Sequence, residues 1–239
     1  MRQLSKSKLI AFRQCPKRLW LELHRPELRD DSASESVFRI GNEVGEVARR
    51  VYDPEGAGTL IDVGETGYEE AFRLTEALLG EGDGPVFEAG LRVEGALAFA
   101  DVMIPLHSDG TEAWRLLEVK STTGVKDYHR EDLAIQAYLA SAMGVNLESC
   151  GIAHINNAFV YEGDGDYRGL FHEEDLTEES LSLANDVEGW IAGAQVAAAL
   201  ADEPELAMGD QCSDPFECPF AAYCSRDEPV VGYPLSSLP

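Results

Sequence analysis

Two acidic residues and one lysine lie inside apolar stretches of this sequence, where charged side chains need a chemical reason. Asp101 interrupts the apolar run 97–106, and Glu118 and Lys120 lie in the run 114–121. An ionised carboxylate in an apolar strand is costly unless it is paired with a cation or bound to a metal ion. If the two runs pair as a hairpin, Asp101 lies near Glu118, and Lys120 shares the face of Glu118. The three residues then predict a Mg²⁺ site with a cation beside it.

The alternative is that these residues are ordinary charges on a solvated strand surface. Any one of them, taken singly, fits that interpretation about as well as the functional one. The three together, inside two neighbouring apolar runs, favour a site.

Three of the five cysteines are evenly spaced in CSDPFECPFAAYC, as Cys212, Cys218 and Cys224. The spacing C-x5-C-x5-C, with a proline in each interval, allows one loop to turn three thiolates toward a single point. A cluster or a zinc site needs a fourth ligand. Cys15, at a polar helix end, is a better candidate than Cys150, which opens an apolar strand and is expected to be a buried small hydrophobe. The spacing differs from the C-x2-C pairs of zinc ribbons, so a [4Fe-4S] cluster is favoured over zinc, with reduced thiols as the alternative.

The charge of the chain is large and uneven. The 239 residues carry a formal net charge of −25, which as a uniform charge would repel nucleic acid. Residues 1–30, however, hold eight of the 19 basic residues and only three acidic ones. This segment predicts a basic surface that contacts phosphates, with a solvated amphipathic helix as the alternative. The side chains expected to contact nucleic acid, all as weak candidates, are Lys6, Lys8, Arg13, Lys17, Arg18 and Tyr138.

The sequence gives no sign of a membrane or secretory protein. No apolar run approaches the roughly 20 residues of a membrane span. The first residues lack the apolar stretch and cleavage site of a signal peptide. We therefore expect a cytoplasmic protein without structural disulfides.

Apolar periodicity and turn residues predict an α/β layer with a mixed sheet. The predicted helices are 5–23 with a break at Pro16, 37–52, 67–79, 130–143 and 177–200. The predicted strands are 86–93, 97–106, 114–121 and 150–160, with a turn at 107–110. No domain-sized linker interrupts them, so we expect a single domain over 1–239. Its parts would be a helical region 1–85, a core 86–160, a C-terminal helix and cysteine loop 161–226, and a tail 227–239.

Taken together, these residues resemble the RecB-like branch of the PD-(D/E)XK nucleases. The matching positions are Cys15-Pro16, Asp101, Leu117-Glu118-Val119-Lys120, Gln136 and the terminal cysteine trio. They look similar to the iron–sulfur exonucleases of CRISPR adaptation and to AddB-type nuclease domains of helicase complexes. The opening LSKSKLIAFRQCPKRLWLE also resembles an uncharacterised bacterial group of this superfamily. Its members often continue into a second, exonuclease-like domain, which would begin about where this chain stops.

The resemblance implies a restriction-endonuclease-like core whose chain ends are tied by a four-cysteine cluster. It implies that Asp101 and Glu118 bind Mg²⁺ or Mn²⁺, with the carbonyl of Val119 as a further ligand. Lys120 would position the attacking water or help to deprotonate it. Gln136, on the following helix, would orient Lys120 or contact the nucleic-acid backbone, with an ordinary exposed helix residue as the alternative.

Two positions depart from the family pattern. RecB-like nucleases usually carry a metal-binding His on an early helix, and the matching stretch 41–46 has none. Glu43, or with slightly less preference Glu46, is expected to replace it as an oxygen ligand, which would favour Mg²⁺ over softer metals. The family's Gln-x-x-x-Tyr is also absent. Tyr138 follows Gln136 by two residues, about 200° around the helix, so a place in the core is the main expectation for Tyr138.

The expected function is a metal-dependent deoxyribonuclease, an exonuclease acting on single-stranded ends of DNA. The alternative is a non-catalytic iron–sulfur nucleic-acid-binding module, or a subunit of a larger repair or defence complex, and the missing His motivates it. In a third hypothesis the cluster is a redox sensor.

Overall fold

The N-terminal helices begin and end as their sequence predicts. In the computed structural model, which describes residues 1–30, 34–108 and 111–227, α1 (Lys6–Gln14) stops before Cys15 and α2 (Pro16–His24) begins at Pro16. A proline is tolerated at the first helical position because the N–H groups of the first turn have no partner within the helix. The predicted break at Pro16 is therefore confirmed.

Of the other described helices, three lie close to their predicted positions, two short ones at 63–66 and 221–224 were not predicted, and one predicted helix is divided in two. These other helices are α3 (Ser34–Tyr52), α4 (Val63–Thr66), α5 (Tyr68–Glu81), α6 (Asp127–Ala142), α7 (Thr177–Ser182), α8 (Ala184–Ala199) and α9 (Ala221–Cys224). The single long helix predicted over 177–200 is wrong, because it is broken at Leu183. Just before the break, the Ser182 hydroxyl donates to the Glu179 carbonyl. Side-chain bonds of this kind compete with the regular helical ladder.

The strands form one mixed seven-stranded sheet. They are β1 (Leu4–Ser5), β2 (Thr59–Leu60), β3 (Val86–Val93), β4 (Ala96–Ser108), β5 (Thr111–Lys120), β6 (Leu147–Ile155) and β7 (Phe171–Asp175). The order is β2-β3-β4-β5-β6-β7, and β1 pairs with β4 beside this path. The pairs β1/β4, β2/β3 and β5/β6 are parallel, and the pairs β3/β4, β4/β5 and β6/β7 are antiparallel. The predicted α/β class with a mixed sheet flanked by helices is thus confirmed.

The predicted strands differ from the observed ones mainly at the β4/β5 turn and at both ends of β6, which begins at Leu147 rather than at residue 150. The β4/β5 ladder continues to the pair Ser108 and Thr111, so the turn is narrower than 107–110, and positions 109–110 lie outside the described residues. β6 ends at Ile155 rather than at residue 160, because the Phe159 N–H turns back to the Asn156 carbonyl. The predicted tail 227–239 lies outside the described part of the chain except for its first residue, Asp227.

Helices cover both faces of the sheet. The larger core lies on the face contacted by α1, α5 and α6, with α8 packed on α1 and α6, and it contains fully buried side chains such as Leu9, Leu116 and Leu133. On the other face, α3 contacts β4 and β5, and a smaller cluster there contains Phe87, Val102 and Leu117. Within the described ranges, no helix combines the length and the apolar character that crossing a bilayer requires.

The first and last described segments of the chain are packed together. Gln14 Nε2 donates to the Phe216 carbonyl at 2.6 Å, and Trp20 Nε1 donates to the Leu200 carbonyl at 3.0 Å. Trp20 also belongs to a small apolar cluster with Leu21 and Phe220, whose side chain is fully buried. The N-terminal helices therefore hold the cysteine loop against the body of the protein.

Candidate active site

Strand register brings the two predicted carboxylates together. β4 and β5 pair Val102 with Leu117, so the next positions along the ladder, Asp101 and Glu118, lie opposite each other on one face. Here the Val119 N–H donates to the Asp101 carboxylate at 2.7 Å. The Asp101 side chain thus accepts the hydrogen bond that a backbone carbonyl of the neighbouring strand would otherwise accept. This bond fixes the Asp101 carboxylate beside β5.

Glu118 is a buried anion with several donors. Its side chain is 3% exposed and accepts hydrogen bonds from Lys6 Nζ at 2.8 Å, Lys120 Nζ at 2.6 Å and Gln136 Nε2 at 2.5 Å. Lys120 Nζ also donates to Asp132 Oδ2 at 2.5 Å. Burial of an ionised carboxylate is tolerated when charged donors satisfy it in this way.

Opposite environments separate the pKa values of the two carboxylates. Burial, followed by the negative charge of Glu118, raises the pKa of Asp101 to about 8. Burial also acts to raise the pKa of Glu118, but the ammonium groups of Lys120 and Lys6 outweigh it and hold that pKa well below its usual range. In the metal-free protein at neutral pH, Asp101 therefore keeps a proton while Glu118 is ionised.

The lysines of the site stay charged. Burial acts to lower the pKa of Lys120, but the carboxylates of Glu118, Asp132 and Asp101 more than compensate and raise it. Lys6 shows the same balance, with burial opposed by Asp132 and Glu118, and its pKa is also raised.

The site opens into a cleft of about 810 Å³. α3, the segment Leu60–Gly64, Tyr68 and the three strands β3, β4 and β5 line this cleft. Both Glu43 and Glu46 are exposed, but only Glu46 is among the residues that line the cleft, and Glu43 lies 4.0 Å from Arg39. This placement favours Glu46 over Glu43 as a companion of Asp101 and Glu118, the reverse of the order expected from sequence.

Glu88 is a third acidic residue of the cleft that the sequence analysis missed. It lies in β3 with φ +55°, and the β3/β4 ladder skips the pair it would make with Asp101. Burial and then the charge of Glu118 raise its pKa. A left-handed backbone is unfavourable for a residue with a Cβ and often occurs at functional sites. The sequence signal that could have revealed Glu88 is of the same kind as for Asp101, because Glu88 is an acidic residue inside the apolar run 86–93.

Gln136 occupies a different position from the one predicted. Its side chain is 0% exposed, and its amide donates to Glu118 and, at 3.3 Å, to the Asp132 carbonyl rather than acting on Lys120. Complete burial excludes direct contact with a nucleic-acid backbone and also excludes the alternative of an exposed helix residue. Tyr138 is half-buried against the larger core, as the preferred interpretation of this residue predicted. Asp132, one turn before Gln136 on α6, is a further site residue that was missed.

The five basic candidates for nucleic-acid contact in the N-terminal segment, Lys6, Lys8, Arg13, Lys17 and Arg18, are engaged in ion pairs. Lys6 pairs with Glu118 inside the site and not on an outer surface. The other pairs are Lys8 with Glu22 at 2.7 Å, Arg13 with Glu131 at 2.7 Å, Lys17 with Glu203 at 2.7 Å, and Arg18 with Glu22 at 2.9 Å. Intramolecular pairing lowers the positive potential that this segment presents to phosphates, so it forms a weaker basic surface than predicted.

The four predicted cluster cysteines surround one cavity. Cys15, Cys212, Cys218 and Cys224 all line a space of about 20 Å³ beside Lys17 and Arg18. Burial raises the pKa of the Cys218 and Cys224 thiols. Across the described residues, no group of three or more His, Cys, Asp or Glu side chains is gathered closely enough to hold a metal ion. Cys150 is 1% exposed in β6, as expected for a buried small hydrophobe.

Comparison with known proteins adds little to this description. No family model matches the chain, and no curated protein matches it. A solved structure, the crystal structure of SSO0001, aligns over 94% of this chain and 86% of that chain, with 17% sequence identity and a TM-score of 0.39. A likeness at this TM-score supports no conclusion about fold or function.

Proposed function

We propose that the chain is a metal-dependent DNA nuclease of the RecB-like PD-(D/E)XK type, with the mixed sheet as a restriction-endonuclease-like core. One observation carries the proposal: the buried carboxylate of Glu118 and the half-buried carboxylate of Asp101 lie on adjacent strands beside Lys120, at a wide cleft. This is the arrangement that the motif Asp…Glu-x-Lys requires. Strand register supports it independently of the resemblance in sequence.

The charges of the site suit a divalent cation. Four carboxylates, those of Glu88, Asp101, Glu118 and Asp132, lie around two ammonium groups, which leaves a deficit of positive charge. The raised pKa values of Asp101 and Glu88 reflect this deficit, since both carboxyl groups hold their protons more tightly than usual. Carboxylate oxygens are ligands that Mg²⁺ and Mn²⁺ prefer, so a bound ion would displace the proton of Asp101.

The residues that would hold Mg²⁺ or Mn²⁺ are Asp101, Glu118 and the carbonyl of Val119, with Glu46 completing the set from α3. A bound ion of this kind lowers the pKa of a water molecule and offsets charge on a scissile phosphate.

The protein's own groups supply orientation and charge. Gln136 and Lys6 fix the Glu118 carboxylate, so that it presents one geometry to the ion. Lys120 is protonated, because its pKa is raised, and it therefore acts as a cation that orients the attacking water or the phosphate rather than as a base.

We further propose that Cys15, Cys212, Cys218 and Cys224 bind a [4Fe-4S] cluster, with zinc less favoured. The donor set fits, since four thiols surround one cavity and the loop that carries three of them is anchored by α1 and α2. No three of these four thiols lie close enough together to hold a metal ion, so binding of a cluster would draw them inward. The cluster would serve as a clamp between segments that are far apart in the chain.

DNA with a single-stranded end is the proposed substrate. Tyr68, at the wall of the cleft, is 59% exposed, and its ring lies 5.9 Å from that of Phe99. An exposed aromatic ring beside a phosphate-cleaving site offers a surface on which an unpaired base can stack.

The deciding experiment is cleavage of end-labelled single- and double-stranded DNA with Mg²⁺ or Mn²⁺ by anaerobically purified protein. We expect cleavage by the wild type and a loss of at least about 100-fold in Lys120→Ala, because that cation stabilises the developing charge. Arg73→Ala, which removes a cation paired with Glu70 on the surface of α5, is the control and should keep full activity. Equal rates for Lys120→Ala and the wild type would disprove the assignment.

The second candidate is a non-catalytic nucleic-acid-binding module or a subunit of a repair or defence complex. It is favoured by the absence of a His in the stretch 41–46 and by the finding that no described group of side chains is already arranged to hold a metal. Binding of labelled single-stranded DNA that survives Glu118→Ala, without cleavage by either protein, would select it.

A further inference from the structure

Lys6 makes the same two ion pairs as Lys120, from a distant part of the chain. Lys6 Nζ lies 2.8 Å from Glu118 Oε1 and 3.6 Å from Asp132 Oδ2. Lys120 Nζ lies 2.6 Å and 2.5 Å from the same two oxygens. Two ammonium groups at one pair of oxygens repel each other. This repulsion is unfavourable unless the nearby carboxylates outweigh it. One lysine would satisfy both carboxylates, so the second needs a reason.

The backbone around Lys6 holds this side chain in the site. Leu4 and Ser5, in β1, pair with Ala96 and Leu97 of β4, and Leu4 is 1% exposed. Lys6 then opens α1, whose Leu9 is fully buried. A long lysine on an open surface makes ion pairs of little consequence, whereas this one leaves a fixed backbone and is 19% exposed.

The next lysine on the same helix shows what an ordinary structural ion pair looks like. Lys8 Nζ pairs with Glu22 of α2 at 2.7 Å, outside the cleft, and joins two adjacent helices. Lys6 instead pairs with Glu118 of β5 and Asp132 of α6, the two partners of Lys120.

We infer that Lys6 is a positioning residue, a second cation that keeps Glu118 and Asp132 neutralised when Lys120 turns to the attacking water. This inference rests on the proposed nuclease function. Without Lys6, movement of Lys120 would leave two carboxylates without a counter-ion, one of them 3% exposed, and such uncompensated burial is strongly unfavourable. Lys6 therefore allows Lys120 to leave its resting ion pairs.

The same geometry predicts opposite effects on metal binding and on turnover. Lys6 competes with a divalent ion for the charge of Glu118, so its removal makes the site more negative and should tighten Mn²⁺ binding. Turnover should nevertheless fall, because Lys120 would then be retained by Glu118 and Asp132. Removal of a lysine that only stabilised the fold would not raise Mn²⁺ affinity while lowering turnover.

The test measures Mn²⁺ affinity by calorimetry without DNA, and cleavage of single-stranded DNA, in Lys6→Met, Lys6→Arg and wild type. For Lys6→Met we expect about tenfold tighter Mn²⁺ binding and a turnover lower by about 10- to 100-fold, the usual range for residues that orient metal ligands. Lys6→Arg keeps the charge and should return Mn²⁺ affinity to the wild-type value and recover part of the turnover. Arg73→Met, which removes one ion-paired charge outside the cleft, should leave both unchanged.

The outcomes separate this inference from the nuclease proposal. Unchanged Mn²⁺ affinity in Lys6→Met, with the thermal unfolding midpoint of the wild type, would overturn the role of Lys6 whatever the activity. Tighter Mn²⁺ binding in a protein whose wild type does not cleave DNA would support Lys6 as a counter-ion and reject the nuclease. A wild type that binds no Mn²⁺ would reject both. If Lys6→Met fails to fold, Lys6→Arg decides: a turnover below that of the wild type at equal Mn²⁺ affinity would support the positioning role, and a turnover equal to that of the wild type would overturn it.

Discussion

Glu118 and Asp101 differ in the number of donors that reach them, and this difference assigns them separate tasks. Glu118 accepts from two lysines and one amide, so its charge and orientation are fixed before any ligand arrives. Asp101 accepts a bond from the Val119 N–H and retains a proton up to a pH of about 8. In the proposed metal site, Glu118 would thus be the preformed part, and Asp101 would be the part that changes charge when a cation enters.

His129 predicts a measurable pH dependence of stability. It is 2% exposed, its Nδ1 accepts the Lys126 N–H at 3.2 Å, and burial together with the charges of Lys120 and Lys126 lowers its pKa to about 4. Between pH 6.5 and 4 the unfolded chain takes up a proton that the folded protein refuses, so folding stability falls as pH falls through this window. From pH 7.5 to 5 we expect His129 to reduce the free energy of unfolding by about 1–2 kcal/mol.

The check compares urea unfolding of the wild type with that of His129→Asn at both pH values. Asparagine can keep the hydrogen bond to the Lys126 N–H but does not titrate. The free energy of unfolding of His129→Asn should therefore fall by about 1–2 kcal/mol less than that of the wild type between the two pH values. Parallel losses in the two proteins would show that His129 is protonated equally in the folded and unfolded states.

The residues of the site were predictable where the signal was local. An acid inside an apolar run identified Asp101 and Glu118, and the period of a strand placed Lys120 beside Glu118. Lys6 was assigned to an outer surface instead, because its partner Glu118 is 112 positions away and no local pattern encodes that pairing. Gln136 was placed on the right helix, but its complete burial depends on how α6 packs against the sheet.

At the scale of elements, Gly151 controls the pairing of β7. A Cβ at this position would lie 2.5 Å from the Glu174 carbonyl of β7, closer than any relaxed contact. We expect Gly151→Ala to push β7 from β6 and to lower the free energy of unfolding by about 1–3 kcal/mol, as overpacking usually does.

Gly80→Ala provides a matched comparison for Gly151→Ala. Gly80 lies in α5 with open space where its Cβ would be, and alanine favours helices over glycine by up to about 1 kcal/mol. That variant should be as stable as the wild type or slightly more so in the same urea titration. A Gly151→Ala protein that is equally stable would show that β7 adjusts to the added methyl group without loss.

Long elements with clear periodicity were predicted well, and very short ones were not. α3, α5 and β3 lie within a few residues of their predicted positions, since each repeats its apolar pattern several times. β1 and β2 have two residues each and exist because neighbouring strands offer free backbone groups. β7, with the sequence FHEED, is exposed over much of its length, so alternation of apolar residues could not reveal it.

At the scale of the whole molecule, the proposed cluster would add a metal-mediated link between the N-terminal helices and the distant cysteine loop. We expect anaerobically purified protein to contain about four iron atoms per chain. Cys212→Ser should lose most of this iron and unfold at a lower temperature, because metal binding contributes to folding. Cys212 is the best choice since Cys218 and Cys224 also pack on the apolar cluster of Trp20, Leu21 and Phe220.

Cys150→Ser is the control for that measurement. Cys150 is buried in β6, apart from the cavity of the other four thiols, so this variant should keep its iron. Elemental analysis gives the answer directly. About one zinc per chain would replace the cluster with a zinc site, and a metal-free protein of unchanged stability would leave only reduced thiols.

The contacts between α1, α2 and residues 200–216 also have a consequence for synthesis of the protein. Gln14 and Phe216 are 202 positions apart, and Trp20 and Leu200 are 180 apart. At about 5–20 residues per second, a ribosome takes roughly 10–40 s to make the intervening chain. During that interval Trp20 and Leu21 of α2 lack the Phe220 side chain that they pack against, and exposed apolar surface of this kind is what chaperones bind. Cys15 is thus made long before Cys212, Cys218 and Cys224, so the cavity that the four thiols line can form only late in synthesis.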